Sequence, residues 1–250
     1  VRLCDVDKQF YLDYIDWLRS SCKTAWGKPV SPKTAHSYYT TLRTALNEAV
    51  RENLIVSNPW YKLEMTEKIK VPESKRDFLT IEEIKRMMAT PFFNEQVRQA
   101  YLFSCFCGLR ISDIRKLRWR DLSMSGGQWR VSVVMTKTTH PVYIPLSSQA
   151  VKWLPERGDC MPDGLVFGGL PNEGNLCVNL KNWAEKAGVK KNVTFHTARH
   201  SCAVLLLTLG VDIYTVSKIL GHRSVRSTQV YAKIVDKKKD DAIALVDNAF

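Results

Sequence analysis

Long apolar runs are missing from this chain. No stretch approaches the about 18 consecutive apolar residues that a membrane-spanning helix needs, so no membrane partner is expected. The opening Val1-Arg2-Leu3-Cys4-Asp5 has none of the apolar core of a secretion signal, and the expected compartment is the cytoplasm. It also has no initiator Met, so the expectation is a fragment or a processed form. Paired cysteines are missing too. The seven are irregularly spaced; Cys105 and Cys107 stand two apart, and no C-x-x-C pair exists. That pattern suits neither a zinc site nor a disulfide framework, and it fits a reducing compartment with most thiols as small core residues. Repeats and low-complexity tracts are absent. Negative charge is scarce: 25 Asp and Glu face 37 Lys and Arg, a formal net charge of +12 that suggests a polyanionic partner, most simply nucleic acid. What is present is ordinary: 45% hydrophobic residues over 250 positions, enough for a real core in one large or two ordinary domains.

The first ~70 residues read as helical. Asp7 to Arg19 carries Phe10, Tyr11, Tyr14, Ile15 and Leu18 at helical spacing. Ser31-Pro32 has the form of an N-cap followed by Pro at the first helical position, opening a helix to about Asn53. Leu42, Leu46, Ala49 and Val50 form its apolar stripe. Lys33, His36, Tyr38, Tyr39, Thr40, Thr41 and Arg43 form the other face, a mixture that suits phosphate and sugar contacts as well as a plain solvated surface. From about Lys68 to Asp77 the chain is charged and holds Pro72, which reads as a linker. Thr80-Ile81-Glu82-Glu83 has capping-box spacing and starts a new helix and a new domain. Val97 to Cys107 reads as a buried helix. Gln128 to Met135 alternates, Thr136 to Pro141 is a polar turn, and Val142 to Pro145 returns, which is a hairpin pattern. Phe195 to Leu209 is a mostly buried helix, Asp212 to Leu220 a short one closed by Gly221, and Asp240 to Phe250 an amphipathic tail.

Chemistry-bearing residues concentrate in short segments: Gly108-Leu109-Arg110-Ile111-Ser112-Asp113, Thr136-Lys137-Thr138, His196-Thr197-Ala198-Arg199-His200, Leu220-Gly221-His222-Arg223, and Tyr231. Arg110 sits at the edge of an apolar helix, with Asp113 three residues on to orient its guanidinium. His196 and Arg199 share one face at the start of a helix, where anions are favoured. His196 and His200 have the spacing of a helical metal pair. However, Thr197 stands where a zinc protease has its glutamate, and Arg199 would repel a cation, so no metal is expected. A helix-turn-helix over Val204 to Ser217 is too apolar in its first half to lie on a DNA backbone. Two arginines, a lysine and two histidines around a phosphodiester would cancel its charge and donate to its oxygens. A tyrosine can then attack phosphorus directly, provided a base and nearby cations lower the cost of losing a proton whose ordinary pKa is about 10.

The order Arg, Lys, His-x-x-Arg, His, Tyr resembles the tyrosine recombinase (phage integrase) family, and the general feel is of bacterial mobile-element integrases. The matching blocks are GLRISDI, TKT, HTARHS and LGHRS, with Tyr231 nine residues beyond His222. The resemblance implies a mainly α fold with a small β hairpin or sheet. It implies a helical core-binding (SAM-like) domain over 1–70, a linker over 71–77, and a catalytic domain over 78–250 ending in the tail helix. It further implies a site-specific recombinase or integrase that cuts and rejoins duplex DNA through a 3′-phosphotyrosine, with no cofactor, metal or ATP. Arg110 and Arg199 would hold the scissile phosphate, and His196 would accept the proton of the attacking tyrosine. His222 would bond a non-bridging oxygen, Lys137 would protonate the departing 5′-oxygen, and Tyr231 would become linked to the DNA. Asp113 would support the arginine shell. Lys33, His36, Tyr39, Thr40 and Arg43 would contact DNA from the first domain. The family also implies a C-shaped clamp, a tetramer on DNA, directionality or host accessory factors, action at the nucleoid, and a tail helix docked on a neighbouring protomer. The readings weighed against this are a type IB topoisomerase-like relaxing enzyme and a catalytically silent DNA-binding regulator.

Overall fold

A computed structural model describes residues 2–70, 76–137 and 141–232. The tail Asp240 to Phe250, most of the linker and the tip of the hairpin turn lie outside the described residues. The chain divides into two compact units, Val1–Lys75 and Arg76–Phe250.

The first unit is built on helices α1 (Lys8–Ser20) and α2 (Pro32–Arg51), with 3-10 turns at Leu3–Asp5 and Pro59–Lys62. Each helix starts where a short polar side chain satisfies a free backbone donor. Asp7 accepts from the Phe10 amide at 2.8 Å, and Ser31 accepts from Thr34 with Pro32 in the first turn. The core is Tyr11, Ile15 and Leu18 from α1 against Ala35, Tyr39 and Leu46 from α2.

Tyr39 therefore corrects the expected DNA face. It is 3% exposed and packs edge-on against Tyr11. The physical reason is periodicity: Ala35, Tyr39, Leu42, Leu46 and Ala49 recur at steps of four and three, and Tyr39 belongs to that stripe. Arg43 is also committed, its guanidinium lying 4.0 Å over the Trp60 ring. Lys33 is exposed, while His36 and Thr40 are half-buried, Thr40 donating to the His36 carbonyl.

The second unit holds α3 (Ile81–Ala89), α4 (Glu95–Cys107), α5 (Ile111–Ile114), α6 (Ser148–Val151), α7 (Glu173–Lys186), α8 (Phe195–Thr208), α9 (Ile213–Ile219) and α10 (Arg226–Ala232). Strands β1 (Leu122–Ser125), β2 (Gln128–Val134) and β3 (Pro141–Pro145) form one antiparallel sheet in the order β1-β2-β3. Thr80 and Glu83 close a reciprocal capping box at α3. The centre of the unit is α4 against α8. Val97, Ala100, Tyr101, Leu102, Phe103, Cys105 and Cys107 of α4 are all buried, as are Phe195, Ala198, Cys202 and Ala203 of α8. Register pairs Val131 with both Leu122 and Ile144, so one face of the sheet is apolar and covers the core. α4 ends at Gly108 in the left-handed conformation, φ 73°, where an added Cβ would stand 2.6 Å from Leu220 Cδ2. That close approach brings the end of α4 against the end of α9.

Candidate active site

Arg199 is the site's most constrained cation. It rises from the second turn of α8 and is 3% exposed. Its guanidinium donates to the Gly108 carbonyl at 2.7 Å and the Leu220 carbonyl at 2.5 Å. Among the described residues no carboxylate lies within ion-pair distance of it. Burial, and then the charge of Arg110, pull its pKa down to about 10, so it remains a cation at neutral pH. Arg110 is half-buried and caps α5. Its guanidinium donates to Met135 Sδ at 3.2 Å, a weak acceptor. Two such guanidiniums, facing neutral partners, are electrostatically incomplete and favour an anion between them.

The lysine and histidines complete the cationic rim. Lys137 is exposed on the turn after β2. The turn's backbone is anchored from below: Asp113, 3% exposed, accepts from the Thr136 amide at 2.8 Å. This revises the expected role of Asp113, whose hydrogen bond goes to the hairpin and not to a guanidinium. Its charge still favours the charged form of Arg199. His196 stands exposed in the first turn of α8. Partial burial and the charges of Arg199, Lys137 and Arg110 hold its imidazole below the usual range. His222 follows Gly221, and its Nδ1 lies 2.8 Å from the buried Thr228 hydroxyl, so Nε2 is the nitrogen left for a ligand. Burial, then Arg199 and Arg110, push its pKa down to about 4.

Tyr231 lies on α10 and is 1% exposed. Its hydroxyl is 2.5 Å from His200 Nδ1, and Arg76 Nη1 donates to it at 3.3 Å. The Arg76 guanidinium also stands 5.6 Å over the phenol ring. Burial first, and then Arg76, His196 and Arg199, push His200 down to about 4. A neutral His200 accepts at Nδ1, which assigns the hydroxyl proton to the Tyr231–His200 bond. His196, the expected partner of the tyrosine, is instead a ring neighbour of His200, centroid to centroid 6.4 Å.

The structure thus gathers Arg110, Lys137, His196, Arg199, His222 and Tyr231 in one place. It adds Arg76 and His200, which the sequence reading did not assign. His200 carried a usable signal: it sits one turn from His196 on the same helix, so whatever His196 faces, His200 faces too. Arg76 carried none, because a cation in a charged linker looks like any other.

Comparison with known proteins places the chain. It belongs to the phage integrase family, the tyrosine recombinases, and is a site-specific recombinase. The phage integrase family matches residues 77–238, and the phage integrase SAM-like domain matches residues 1–69. A tyrosine recombinase of Thermosipho africanus is 31% identical over 232 residues, 87% of this chain and 77% of that protein. Tyrosine recombinase XerD of Pseudomonas putida is 25% identical over 251 residues, 94% of this chain and 80% of that protein. Among solved structures, XerH site-specific recombinase bound to a palindromic difH substrate superposes with a TM-score of 0.73 at 18% identity, covering 98% of this chain and 74% of that one. That likeness is one of fold. Xer-type recombinases stand among the similar proteins, so the mobile-element character is the lesser part of the resemblance.

Proposed function

We propose that this recombinase binds duplex DNA and cuts and rejoins it through a 3′-phosphotyrosine at Tyr231. The observation that carries the reading is the buried Arg199, with no ion-pair partner among the described residues and close enough to Arg110 to feel its charge, and a hydrogen-bonded tyrosine nearby. A scissile phosphate is a ligand that such a cluster of cations suits. Arg110 and Arg199 hold its non-bridging oxygens, and His222 Nε2 adds a neutral donor. These groups stabilise the charge that develops at phosphorus as a fifth oxygen arrives. Tyr231 Oη forms the new bond to phosphorus, the bond to the 5′-oxygen breaks, and Lys137 supplies that oxygen's proton. The ester conserves the bond energy, so rejoining needs neither ATP nor metal. Lys33 and His36 on α2 remain the candidates for backbone contact from the first unit, and the +12 net charge suits a DNA partner. Assembly as a tetramer on DNA, with directionality or host accessory factors, completes the proposal.

The test is covalent trapping on a nicked duplex that carries the target site and releases the 5′-oxygen strand on cleavage. A stable adduct mapped to Tyr231, absent in Tyr231→Phe with DNA binding retained, is expected. Tyr143 and Tyr214 are exposed alternatives on β3 and α9. An adduct on either, or none at all, overturns the assignment. Intact partner duplexes then separate recombinant joints from relaxed circles alone.

A further inference from the structure

A Tyr231 that attacks phosphorus must give up its hydroxyl proton. Phenol is a weak nucleophile while it keeps that proton, so a group within hydrogen-bond reach must take it as the oxygen attacks. The expected acceptor, His196, is exposed at the start of α8 and has no described bond to the phenol. His200 is one helical turn further along and touches the hydroxyl at 2.5 Å through Nδ1. We propose that His200 is the proton acceptor for Tyr231, with Arg76 bonded to the phenolic oxygen to stabilise the phenolate as it forms. This rests on Tyr231 being the nucleophile.

The groups around His200 fit the role. Arg76 from the segment before α3, His196 and Arg199 on α8, Tyr231 on α10 and His222 after α9 all face this region. Among them are cations but no carboxylate, so the imidazole rests neutral and able to accept. The step balances. The Tyr231 O–H bond breaks with its proton passing to His200 Nδ1, and the electron pair on Oη forms the bond to phosphorus. The phosphorus–O5′ bond breaks, and that oxygen takes a proton from Lys137. On rejoining, the 5′-hydroxyl attacks phosphorus and its proton returns to Lys137, while the phosphorus–Tyr231 oxygen bond breaks and His200 returns its proton to the departing phenolate. A phosphate bound between Arg110 and Arg199 would make the positive imidazolium cheaper at the moment it forms. His196, nearer the rim and felt by Lys137 and Arg110, is then left to face the phosphate side.

The experiment measures the single-turnover rate of adduct formation on the nicked duplex, in the full chain, from pH 6 to pH 9. Tyr231→Phe is run first: if it still forms the adduct, or if the unmodified protein forms none, the nucleophile reading falls independently of His200. Given an adduct at Tyr231, the informative variant is His200→Asn. Its amide oxygen can accept the phenol's hydrogen bond near Nδ1 but cannot keep the proton. With DNA affinity and melting temperature unchanged, adduct formation should slow roughly 10²–10⁴-fold at pH 7. It should then rise about tenfold per pH unit, as solvent takes over proton removal from a phenol whose ordinary pKa is about 10, while the unmodified enzyme stays nearly flat. Placing 3-fluorotyrosine at position 231 makes the phenol more acidic. It should rescue His200→Asn and change the unmodified enzyme little, which keeps the test sharp if another replacement, such as His200→Ala, misfolds. The proposal is overturned if His200→Asn reacts at the normal rate, which would leave His200 a positioning residue. It is equally overturned if the variant is slow with a flat pH profile, or if His196→Ala acquires the pH dependence instead.

Discussion

Acid should unfold this protein through its active site before it does so through its surface carboxylates. The perturbation is a shift from pH 7 to pH 4.5. His200 and His222 have pKa values of about 4 in the folded chain against an ordinary 6.5, burial being the largest cause in each. Between those two values the unfolded chain binds protons at both imidazoles and the folded chain binds almost none, so stability is full above about 6.5 and is lost as pH falls toward 4. At 1.36 kcal/mol per pH unit, each ring is worth at most about 3 kcal/mol; both are only partly buried, so ~1–2 kcal/mol each is expected. The carboxylates held below their usual range, Glu48, Glu67, Glu82 and Asp212, act in the same direction, but their loss begins only near pH 4.5 and below. Urea unfolding at pH 7, 6, 5 and 4.5, followed by far-ultraviolet circular dichroism, measures the effect. The double variant His200→Asn/His222→Asn should lose less stability than the unmodified chain across that window, by ~2–4 kcal/mol in total. Equal losses in the two proteins would refute the reasoning. Duplex DNA should oppose the effect, because a phosphate between Arg110 and Arg199 offsets the positive field on both rings, and binding below pH 6 should then take up protons.

Three further outcomes follow from the geometry. Lys137→Ala should slow cleavage roughly 10²–10⁴-fold, and a substrate with a 5′-thio leaving group should recover much of that loss, since sulfur departs without a proton; no recovery would reduce Lys137 to an electrostatic role. Asp113→Ala removes the acceptor for the Thr136 amide, so adduct formation should slow while DNA affinity holds, at a stability cost of about 1–3 kcal/mol, and Asp113→Asn, which keeps an acceptor, should be milder. Gly108→Ala forces a side chain into a positive-φ position 2.6 Å from Leu220 Cδ2, and should cost about 1–3 kcal/mol in denaturant unfolding as well as displacing the carbonyl that holds Arg199.

The readable parts of the fold were those with a local cause. Ser31-Pro32, Thr80 with Glu83, and Asp212 announce helix starts because each side chain bonds a backbone donor a few residues on, and the structure uses all three so. The β2–β3 hairpin showed through alternation. β1 did not, since a four-residue strand with one buried position has too short a pattern to register. α7 has a weak sequence signal because Gly174 and its asparagines lower helix propensity, although Leu176, Leu180, Trp183 and Ala184 mark its buried face. In the site, the residue types and their order pointed to the cluster, but which histidine meets the tyrosine is decided by how α10 lies on α8, a long-range packing fact. Tyr39 differs from the expectation for the opposite reason: its hydroxyl groups it with the polar face, while helical phase puts it in the core.

Arg199 also works as a crosspiece. Its two short bonds run to the carbonyls at the C-terminal ends of two different helices, Gly108 closing α4 and Leu220 closing α9, where the negative ends of the helix dipoles lie. Arg110 is two residues past the first of these ends, and His222 two past the second. The ligand-facing cation and imidazole are thereby hung from one buried beam, and their spacing is set by the span of a single guanidinium. Lysine cannot replace it, because a point charge on a flexible stem does not bridge two fixed carbonyls in a plane. For sequence divergence this means that the segments around 108–110, 196–200 and 220–222 are free to drift in what separates them but must change together within themselves. For engineering, substitutions meant to leave the chemistry intact are better kept away from this beam.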